Sequence, residues 1–186
     1  SDPQLIADFY RELTTQLKAL PGVVNASAVF QLPLAGSGAT TSVAIEGRPV
    51  PPADRPSVVI HMAAPEYFRT MGIPMVKGRE FTDRDNLSSP PVLIINETLA
   101  RQYFPNEDPL GKRVAPGFST LPVRDDESGL REIIGVAAPG FRGLTDEARV
   151  WLPMDGPLVG DLRALGADVE VRPLPVLRRA GLGPAT

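Results

Sequence analysis

Few side chains in this sequence carry the chemistry that catalysis needs. The 186 residues contain a single histidine, His61, and no cysteine, so a serine triad would need this imidazole as its base, and thiolate chemistry is excluded. The nearest sequence to a nucleophile elbow is AGSGA, residues 35–39, which lacks the outer glycines of the G-x-S-x-G pattern. We therefore expect His61, in the β-branched run SVVIHMAA, to fill or face a sheet.

Acidic side chains cluster at three places, and two kinds of site could use them. Calcium needs a ring of oxygens, and DRDN supplies Asp83, Asp85 and Asn86 but lacks the third acid and turn glycine of an EF-hand loop. A glycosidase needs a carboxylate pair, but no aromatic sugar platform is evident. We interpret the clusters as solvated turns and helix caps. The acids are Glu80, Asp83, Asp85, Glu107, Asp108, Asp125, Asp126 and Glu127.

Binding sites for phosphate and nucleic acid are also not predicted. No GK[ST] occurs, and the GKR at residues 111–113 opens a strand instead. A net charge of −3 and a pI near 5.2 leave no basic surface for a phosphate backbone. Three N-x-[ST] triplets begin at Asn25, Asn86 and Asn96, and Asn96 is better explained as a helix cap. The sequence thus predicts no catalytic, cofactor-binding or metal-binding residue.

The elements that would position these side chains are short. The chain has 42% hydrophobic residues with 17 glycines and 21 prolines, which indicates a globular fold of short elements joined by turns. It begins with an amphipathic helix, in which Leu5, Phe9, Leu13 and Leu17 recur at helical spacing. No apolar run reaches the roughly 18 residues of a membrane span, so we expect a soluble chain, and the start at Ser1 indicates an excised fragment.

Strands and helices then follow in irregular order, which favours an α+β fold over a doubly wound sheet. In VLIINETLARQYF a buried strand turns directly into a helix with Asn96 as its cap, and the last eleven residues, from Val176, read as a frayed tail. The other predicted strands are VVNASAVFQLPL, TSVAIEG, SVVIHMAA, GKRVAP, REIIGVAA, RVWLPM and ADVEV, and the other predicted helices are PEYFRTMG and LVGDLRAL.

The order of several motifs resembles one known family. IEGRP, APEYFRTMGIPMVKGREFTDRD, VLIINETLARQYFPNEDPLGKRV, REIIGV and VWLPM follow one another over roughly residues 5–154. In combination they closely resemble the MacB-type periplasmic core domain of FtsX-like permeases in bacterial ABC transporters. After Met154 the resemblance weakens, which predicts a lobe one strand short.

The resemblance implies a two-lobed domain on the periplasmic side of the cytoplasmic membrane that performs no chemistry. A porter-like lobe would combine residues 1–46 with a shortened second part and tail, 140–186, and residues 47–139 would form the inserted lobe. ATP would be hydrolysed by a separate cytoplasmic domain, and this domain would convert the resulting helix motion into a change of shape. The implied partners are the permease's own transmembrane helices, that ATP-binding domain and an adaptor or substrate protein. We expect no cofactor and a monomer in solution.

The residues that carry the resemblance have structural roles. Tyr67 and Phe68 are expected to anchor a short helix in a core, and the stretch Pro65 to Asp85 is expected to be a rigid corner with its acids on the solvent side. The predicted structural residues are Tyr67, Phe68, Gly72, Pro74, Gly78, Arg79, Phe81, Asn96, Pro109 and Gly111.

Two other functions stay open at this point. A stand-alone extracytoplasmic module that binds a peptide, lipid or lipoprotein would need an apolar groove between lobes. An enzyme would need convergent titratable groups in a cleft, such as His61 with two carboxylates within hydrogen-bond reach.

Overall fold

The architecture is a mixed α/β fold built on one large sheet. It is seen in a computed structural model that describes residues 3–30, 39–86, 88–117, 129–139, 149–154 and 174–179. A 3-10 turn, Pro52–Asp54, lies in the proline-rich stretch after the second strand. The elements are α1 (Pro3–Lys18), β1 (Val23–Phe30), β2 (Ala39–Ile45), β3 (Ser57–Ala63), α2 (Tyr67–Met71), β4 (Met75–Gly78), β5 (Val92–Asn96), α3 (Glu97–Tyr103), β6 (Arg113–Pro116), β7 (Arg131–Ala137), β8 (Arg149–Pro153) and β9 (Leu174–Arg179).

Six of the strands form a closed ring in which each strand is hydrogen-bonded to the next. The order is β2, β6, β7, β5, β8 and β3, and β3 then pairs with β2 to complete a ring. Two of these pairings are parallel, β5 with β7 and β3 with β8, and the other four are antiparallel. Closure leaves the ring itself with few open edges, because each of its strands has neighbours on both sides.

The main core fills the inside of this ring. Every one of the six strands contributes at least one buried apolar side chain to a single cluster, and α3 adds Leu99, 1% exposed. Alternation along each strand puts every second residue on the inner face, as in β3 where Val58, Ile60 and Met62 join the cluster. The other face of β3, β5 and β8 carries Ala63, Ile94 and Trp151 into a second cluster under α2.

Outside the ring, β1 extends the sheet from β3 and β9 pairs antiparallel along β1. The prediction of a frayed tail from Val176 is wrong for residues 176–179, which belong to β9, with Val176 opposite Ser27. Edge pairing stabilises a strand wherever a neighbour offers unpaired backbone groups, and a tail-like composition does not reveal that. The predicted elements LVGDLRAL and ADVEV, and the missing strand after Met154, lie outside the described residues.

The apolar stripe of α1 is only partly covered in the described structure. Tyr10 packs on Ala28, Ala64 and Met154, whereas Phe9 is 59% exposed. Leu20, just beyond the helix, is 52% exposed. A wide stripe can contact a sheet along one edge and leave the other edge open, and α1 does so against β1.

The three segments of the predicted lobes, 1–46, 47–139 and 140–186, do not form separate sheets. From the first segment β2 pairs with β3 and β6, and from the last segment β8 pairs with β3 and β5. Strand pairing therefore crosses both predicted boundaries, 46/47 and 139/140. None of the helices in the described part of the chain has both the length and the apolar composition that crossing a membrane requires.

Candidate functional site

The stretch Pro65 to Asp85, here called the corner, connects β3 to the loop before β5 and contains α2 and β4. The predicted helix PEYFRTMG begins later than expected, at Tyr67, because Pro65 and Glu66 form a turn. Glu66 has a left-handed backbone, with φ 63° and ψ 11°. Its carbonyl oxygen accepts hydrogen bonds from the Thr70 backbone nitrogen, at 2.9 Å, and from Thr70 Oγ1, at 2.7 Å.

The end of α2 is closed by Gly72. Its φ of 69° is in the left-handed region, which glycine adopts without steric cost. The Gly72 nitrogen donates to the Arg69 carbonyl at 3.2 Å, and the Ile73 nitrogen donates back to the Phe68 carbonyl at 2.8 Å. This is a Schellman-type ending, in which Ile73 returns to the same apolar cluster as Phe68. Pro74 comes next, and its carbonyl accepts from the Ala138 nitrogen at 2.9 Å.

Aromatic side chains hold the corner against the outer face of the ring. Tyr67, Phe68 and Phe81 are each 1% exposed. The Phe68 ring lies edge-on to Trp151 of β8 with 5.2 Å between centroids, and its centroid is 6.3 Å from that of Phe81. Edge-to-face pairs add to the stabilisation that area burial alone provides. These contacts join three parts of the fold into one packed unit: β8, α2 and the turn that follows β4.

The predicted position of the acids in the corner is wrong for Asp85. Only 5% of its side chain is exposed, and it accepts two hydrogen bonds from Arg79, at 2.7 and 2.9 Å. The Thr82 backbone nitrogen also donates to it, at 2.8 Å. Burial acts to raise the pKa of Asp85, but the Arg79 and Thr82 hydrogen bonds and the Arg79 charge outweigh it and lower that pKa below its usual value. An acid in a polar turn is buried here because a guanidinium reaches it.

The backbones of β4 and β7 approach closely at two glycines. A Cβ on Gly78 would lie 2.2 Å from the Ile134 carbonyl oxygen, and Gly78 has a φ of 68°. A Cβ on Gly135 would lie 2.4 Å from the Arg79 carbonyl oxygen. The Arg79 nitrogen donates to the Ile134 carbonyl at 3.1 Å, so this close approach is hydrogen-bonded. Gly78 was among the predicted residues and Gly135 was missed, since glycine in a strand indicates close approach without identifying the partner.

The corner is also attached to α1 and β1. Ser27 of β1, fully buried, donates its hydroxyl to the Pro65 carbonyl at 2.9 Å. The Ala64 nitrogen donates to the Ala28 carbonyl at 2.9 Å. Lys18, in the last turn of α1, lies 2.8 Å from the Glu66 carboxylate. These contacts were not predicted, because they join residues about 40 positions apart with no sequence pattern between them.

Asn96 caps α3 and also fixes β8. Its Oδ1 accepts from the Leu99 nitrogen at 3.0 Å, which is the helix cap, and from the Arg149 nitrogen at 3.0 Å. The residue is completely buried. The cap could be read from its position before a helical pattern, but the second hydrogen bond could not.

Pro109 and Gly111 lie in the turn between α3 and β6. Pro109 is buried, Gly111 has a φ of 76°, and the Gly111 nitrogen donates to the Ile133 carbonyl of β7 at 3.0 Å. Asp108 accepts from the Leu110 nitrogen at 3.2 Å and forms an ion pair with Lys77 of β4 at 3.3 Å. This turn and the corner therefore meet at β4.

His61 does not face a nucleophile or a carboxylate pair in the described structure. It is 4% exposed and stacks on Trp151 with 6.0 Å between ring centroids. Neither ring nitrogen has a hydrogen-bond partner among the described residues. Burial, and after it the Arg149 charge, lowers the pKa of His61 to about 4, and burial raises the pKa of Tyr67 to about 12. The serine of AGSGA lies outside the described residues.

Within the described ranges, no three potential metal ligands of the His, Cys, Asp or Glu type come together. Asp83, on the surface, and Asp85, buried against Arg79, do not share a site. Glu107 instead forms ion pairs with Lys112, at 2.9 Å, and with Arg48. The acids Asp125, Asp126 and Glu127 lie outside the described residues.

A groove of about 960 Å³ lies beside the loop after β2. Ile45, Val50, Tyr103 and Leu130 provide apolar walls, and Asp54 is one of its charged residues. Arg48 crosses between this groove and α3, where it donates to the Tyr103 carbonyl and lies over the Phe104 ring, 5.1 Å from the centroid.

One family model matches almost the whole chain. It is the MacB-like periplasmic core domain, and the match covers residues 2–173. The macrolide export ATP-binding/permease protein MacB 2 of Aeromonas hydrophila is 32% identical over 90 residues. That match covers 47% of this chain and 12% of the relative, so the similar segment is a small part of a much longer protein.

Solved structures show the same fold at low sequence identity. The periplasmic region of MacB from Actinobacillus actinomycetemcomitans matches with a TM-score of 0.57 and 14% identity, covering 94% of this chain and 67% of that one. The extracellular domain of the ABC-type transporter YknZ from Gram-positive bacteria matches with a TM-score of 0.55 and 20% identity, covering 98% of this chain and 80% of that one. At these identities the likeness concerns the fold.

Proposed function

The chain belongs to the family of MacB-like periplasmic core domains, and from this membership we propose that it transmits ATP-driven movement of the membrane helices to partner proteins. As a member of the family it is a periplasmic, non-catalytic domain of an ABC transporter permease. The transmission role, the lobes and the particular partners are the proposal.

The observation that carries the proposal is the chain of direct contacts from α1 to the corner. Ser27 binds the Pro65 carbonyl, Lys18 pairs with Glu66, and the next two residues, Tyr67 and Phe68, are buried against the ring. Packed elements transmit displacement because a well-packed contact cannot deform continuously. Movement of α1 would therefore reach α2 through Pro65 and Glu66, which directly precede Tyr67.

The two lobes take the following form in this proposal. The porter-like lobe consists of α1, β1 and β9, which lie outside the ring, and the second lobe consists of the ring of six strands with the corner packed on it. Relative to the predicted segments 1–46, 47–139 and 140–186, this proposal places β2 and β8 in the second lobe and not in the porter-like lobe, because both strands pair within the ring. The structural roles of Tyr67, Phe68, Gly72, Pro74, Gly78, Arg79, Phe81, Asn96, Pro109 and Gly111 are to keep the second lobe rigid while the first moves.

The proposed partners are the permease's own transmembrane helices, its cytoplasmic ATP-binding domain and an adaptor or substrate protein. The chain by itself is proposed to be a monomer, with pairing enforced by the membrane part. Sedimentation velocity at micromolar concentration is expected to give a single monomeric species, and a tight dimer would contradict this.

The transmission role is tested in the full permease with spin labels. This chain contains no cysteine, so cysteines introduced at Glu12 of α1 and Arg84 of the corner provide unique labels within it. We expect the distance distribution between them, measured by double electron–electron resonance, to differ between the nucleotide-free and ATP-bound permease. A control pair at Asp54 and Arg101, both in the proposed second lobe, should not change. Identical distributions for the first pair in both states would contradict the proposal.

A second candidate function is supported by the groove beside β2. A binding module for a peptide, lipid or lipoprotein would need an apolar groove between lobes. This groove lies within the second lobe, and Ile45, Val50 and Tyr103 give it apolar walls. Titration with a short-chain phosphatidylethanolamine, followed through the Ile45 and Val50 methyl resonances, tests the lipid case. Saturable shifts confined to this groove would support it, and unchanged spectra would oppose it.

A further inference from the structure

Glu66 has an unusual backbone for a residue with a side chain. In the described part of the chain it is the one non-glycine residue with a positive φ, 63°. The left-handed region brings the Cβ close to the following carbonyl group, so such a residue stays there only when its surroundings hold it. Glu66 stands directly before α2, and its side chain makes no cap hydrogen bond to that helix.

Two sets of contacts hold Glu66 in this conformation. On the corner side, its carbonyl oxygen accepts from the nitrogen and the hydroxyl of Thr70, at 2.9 and 2.7 Å. On the other side, its carboxylate lies 2.8 Å from Lys18 Nζ at the end of α1. The side chains of Lys18 and Glu66 are 38% and 36% exposed, so this ion pair can open without disturbing a core.

The backbone angle of Glu66 controls the direction in which α2 leaves β3. Tyr67 and Phe68, the next two residues, anchor α2 with 1% of their surface exposed. A change of φ at Glu66 would change the orientation of the Tyr67 and Phe68 side chains relative to β3. A withdrawal of α1 would remove Lys18 from the carboxylate and so remove one of the two sets of contacts.

We infer that Lys18 and Glu66 form a conformational latch, in which the ion pair to α1 keeps Glu66 left-handed and α2 in place. When α1 moves away, the left-handed backbone loses this support and α2 opens more readily from the ring. The inference deepens the proposed transmission role and rests on it, since it identifies the residues at which movement of α1 enters the corner.

Amide hydrogen exchange measured by NMR on the chain alone tests the latch. The Thr70 amide, which donates to Glu66, reports opening of the corner, and the Ile133 amide, which donates to Lys112, reports global unfolding. Lys18→Met and Glu66→Gln each remove the ion pair and retain the strained backbone. We expect each to speed exchange of the Thr70 amide by roughly two- to fivefold, the range for an exposed ion pair. Exchange of the Ile133 amide should not change.

Two further variants separate the latch from an ordinary surface ion pair. Glu66→Gly also lacks the ion pair, but glycine tolerates the left-handed backbone, so Thr70 exchange should be as slow as in the parent chain or slower. Lys77→Met removes the Lys77–Asp108 pair, which is more exposed than the Lys18–Glu66 pair, and should leave exchange of the Thr70 amide unchanged. Unchanged Thr70 exchange in Lys18→Met, or exchange in Glu66→Gly as fast as in Glu66→Gln, would overturn the inference.

These measurements are independent of nucleotide and membrane. Failure of the latch would leave the spin-label test of transmission unaffected, and an unchanged spin-label distance would leave the exchange data to be explained as a local property of the corner.

Discussion

Arg79 and Asp85 form a two-point contact across the acidic turn of the corner, with Nη1 to Oδ2 at 2.7 Å and Nη2 to Oδ1 at 2.9 Å. The carboxylate is buried while half of the Arg79 side chain is exposed. The pair therefore ties the end of β4 to the loop before β5.

Loss of this contact is expected to cost more than loss of a surface ion pair. Arg79→Met leaves Asp85 buried with no cation beside it, which should lower the free energy of unfolding by about 2–3 kcal/mol. Lys77→Met, which breaks an exposed pair with Asp108, should cost under about 1 kcal/mol. Urea unfolding of both variants measures the difference. Equal losses would mean that the burial of Asp85 contributes nothing.

The close approach of β4 and β7 makes Gly135 intolerant of a side chain. Gly135→Ala puts a Cβ 2.4 Å from the Arg79 carbonyl oxygen, so the two backbones must move apart. We expect a loss of roughly 3 kcal/mol, the upper range for overpacking. Gly72→Ala meets no atom within 4 Å and should lose only about 1 kcal/mol, from its left-handed φ. If thermal unfolding gave the same loss of stability for both variants, the close approach of the β4 and β7 backbones at Gly135 would be contradicted.

Asn96 should be more important than an ordinary helix cap. Asn96→Ala removes the acceptor for the Leu99 nitrogen and leaves the Arg149 nitrogen without the Asn96 oxygen. A cap alone is worth about 1 kcal/mol, and loss of a buried acceptor adds about 1–3 kcal/mol, so we expect a total near 3 kcal/mol. Asn96→Asp retains an acceptor oxygen and should lose less. The ranking is checked by chemical denaturation, and an alanine variant that loses only the value of a cap would contradict the second hydrogen bond.

His61 should make the domain sensitive to mild acid. Its pKa is lowered to about 4 from 6.5, by burial and then by Arg149, so the folded chain takes up this proton less readily than the unfolded chain. Its contribution to stability is therefore complete above pH 6.5 and is lost as pH falls from 6.5 towards 4, by about 3 kcal/mol in total.

His61→Phe tests this dependence, because phenylalanine fills the space beside Trp151 and does not titrate. The variant is expected to lose less stability than the parent between pH 6.5 and pH 4, measured as urea midpoints at matched ionic strength. Parallel loss in both chains would show that other groups account for the acid sensitivity.

Local patterns predicted the elements that depend on neighbouring residues. The helical spacing from Leu5, the β-branched runs and Asn96 before a helix placed α1, most strands and the start of α3 near their observed positions, because propensity and capping act within one turn or strand. The order of motifs indicated the family, and the family match to residues 2–173 confirms that identification.

Residue types and their order were therefore enough to identify a mixed α/β domain of the MacB-like periplasmic core family. Five features became known only from the folded chain: six strands close into a ring, Asp85 is buried by Arg79, Gly135 meets Arg79, Lys18 reaches Glu66, and residues from Leu174 form a strand. Each of these depends on a partner supplied by another element, and a partner's position depends on strand register and packing, which residue type and spacing do not encode.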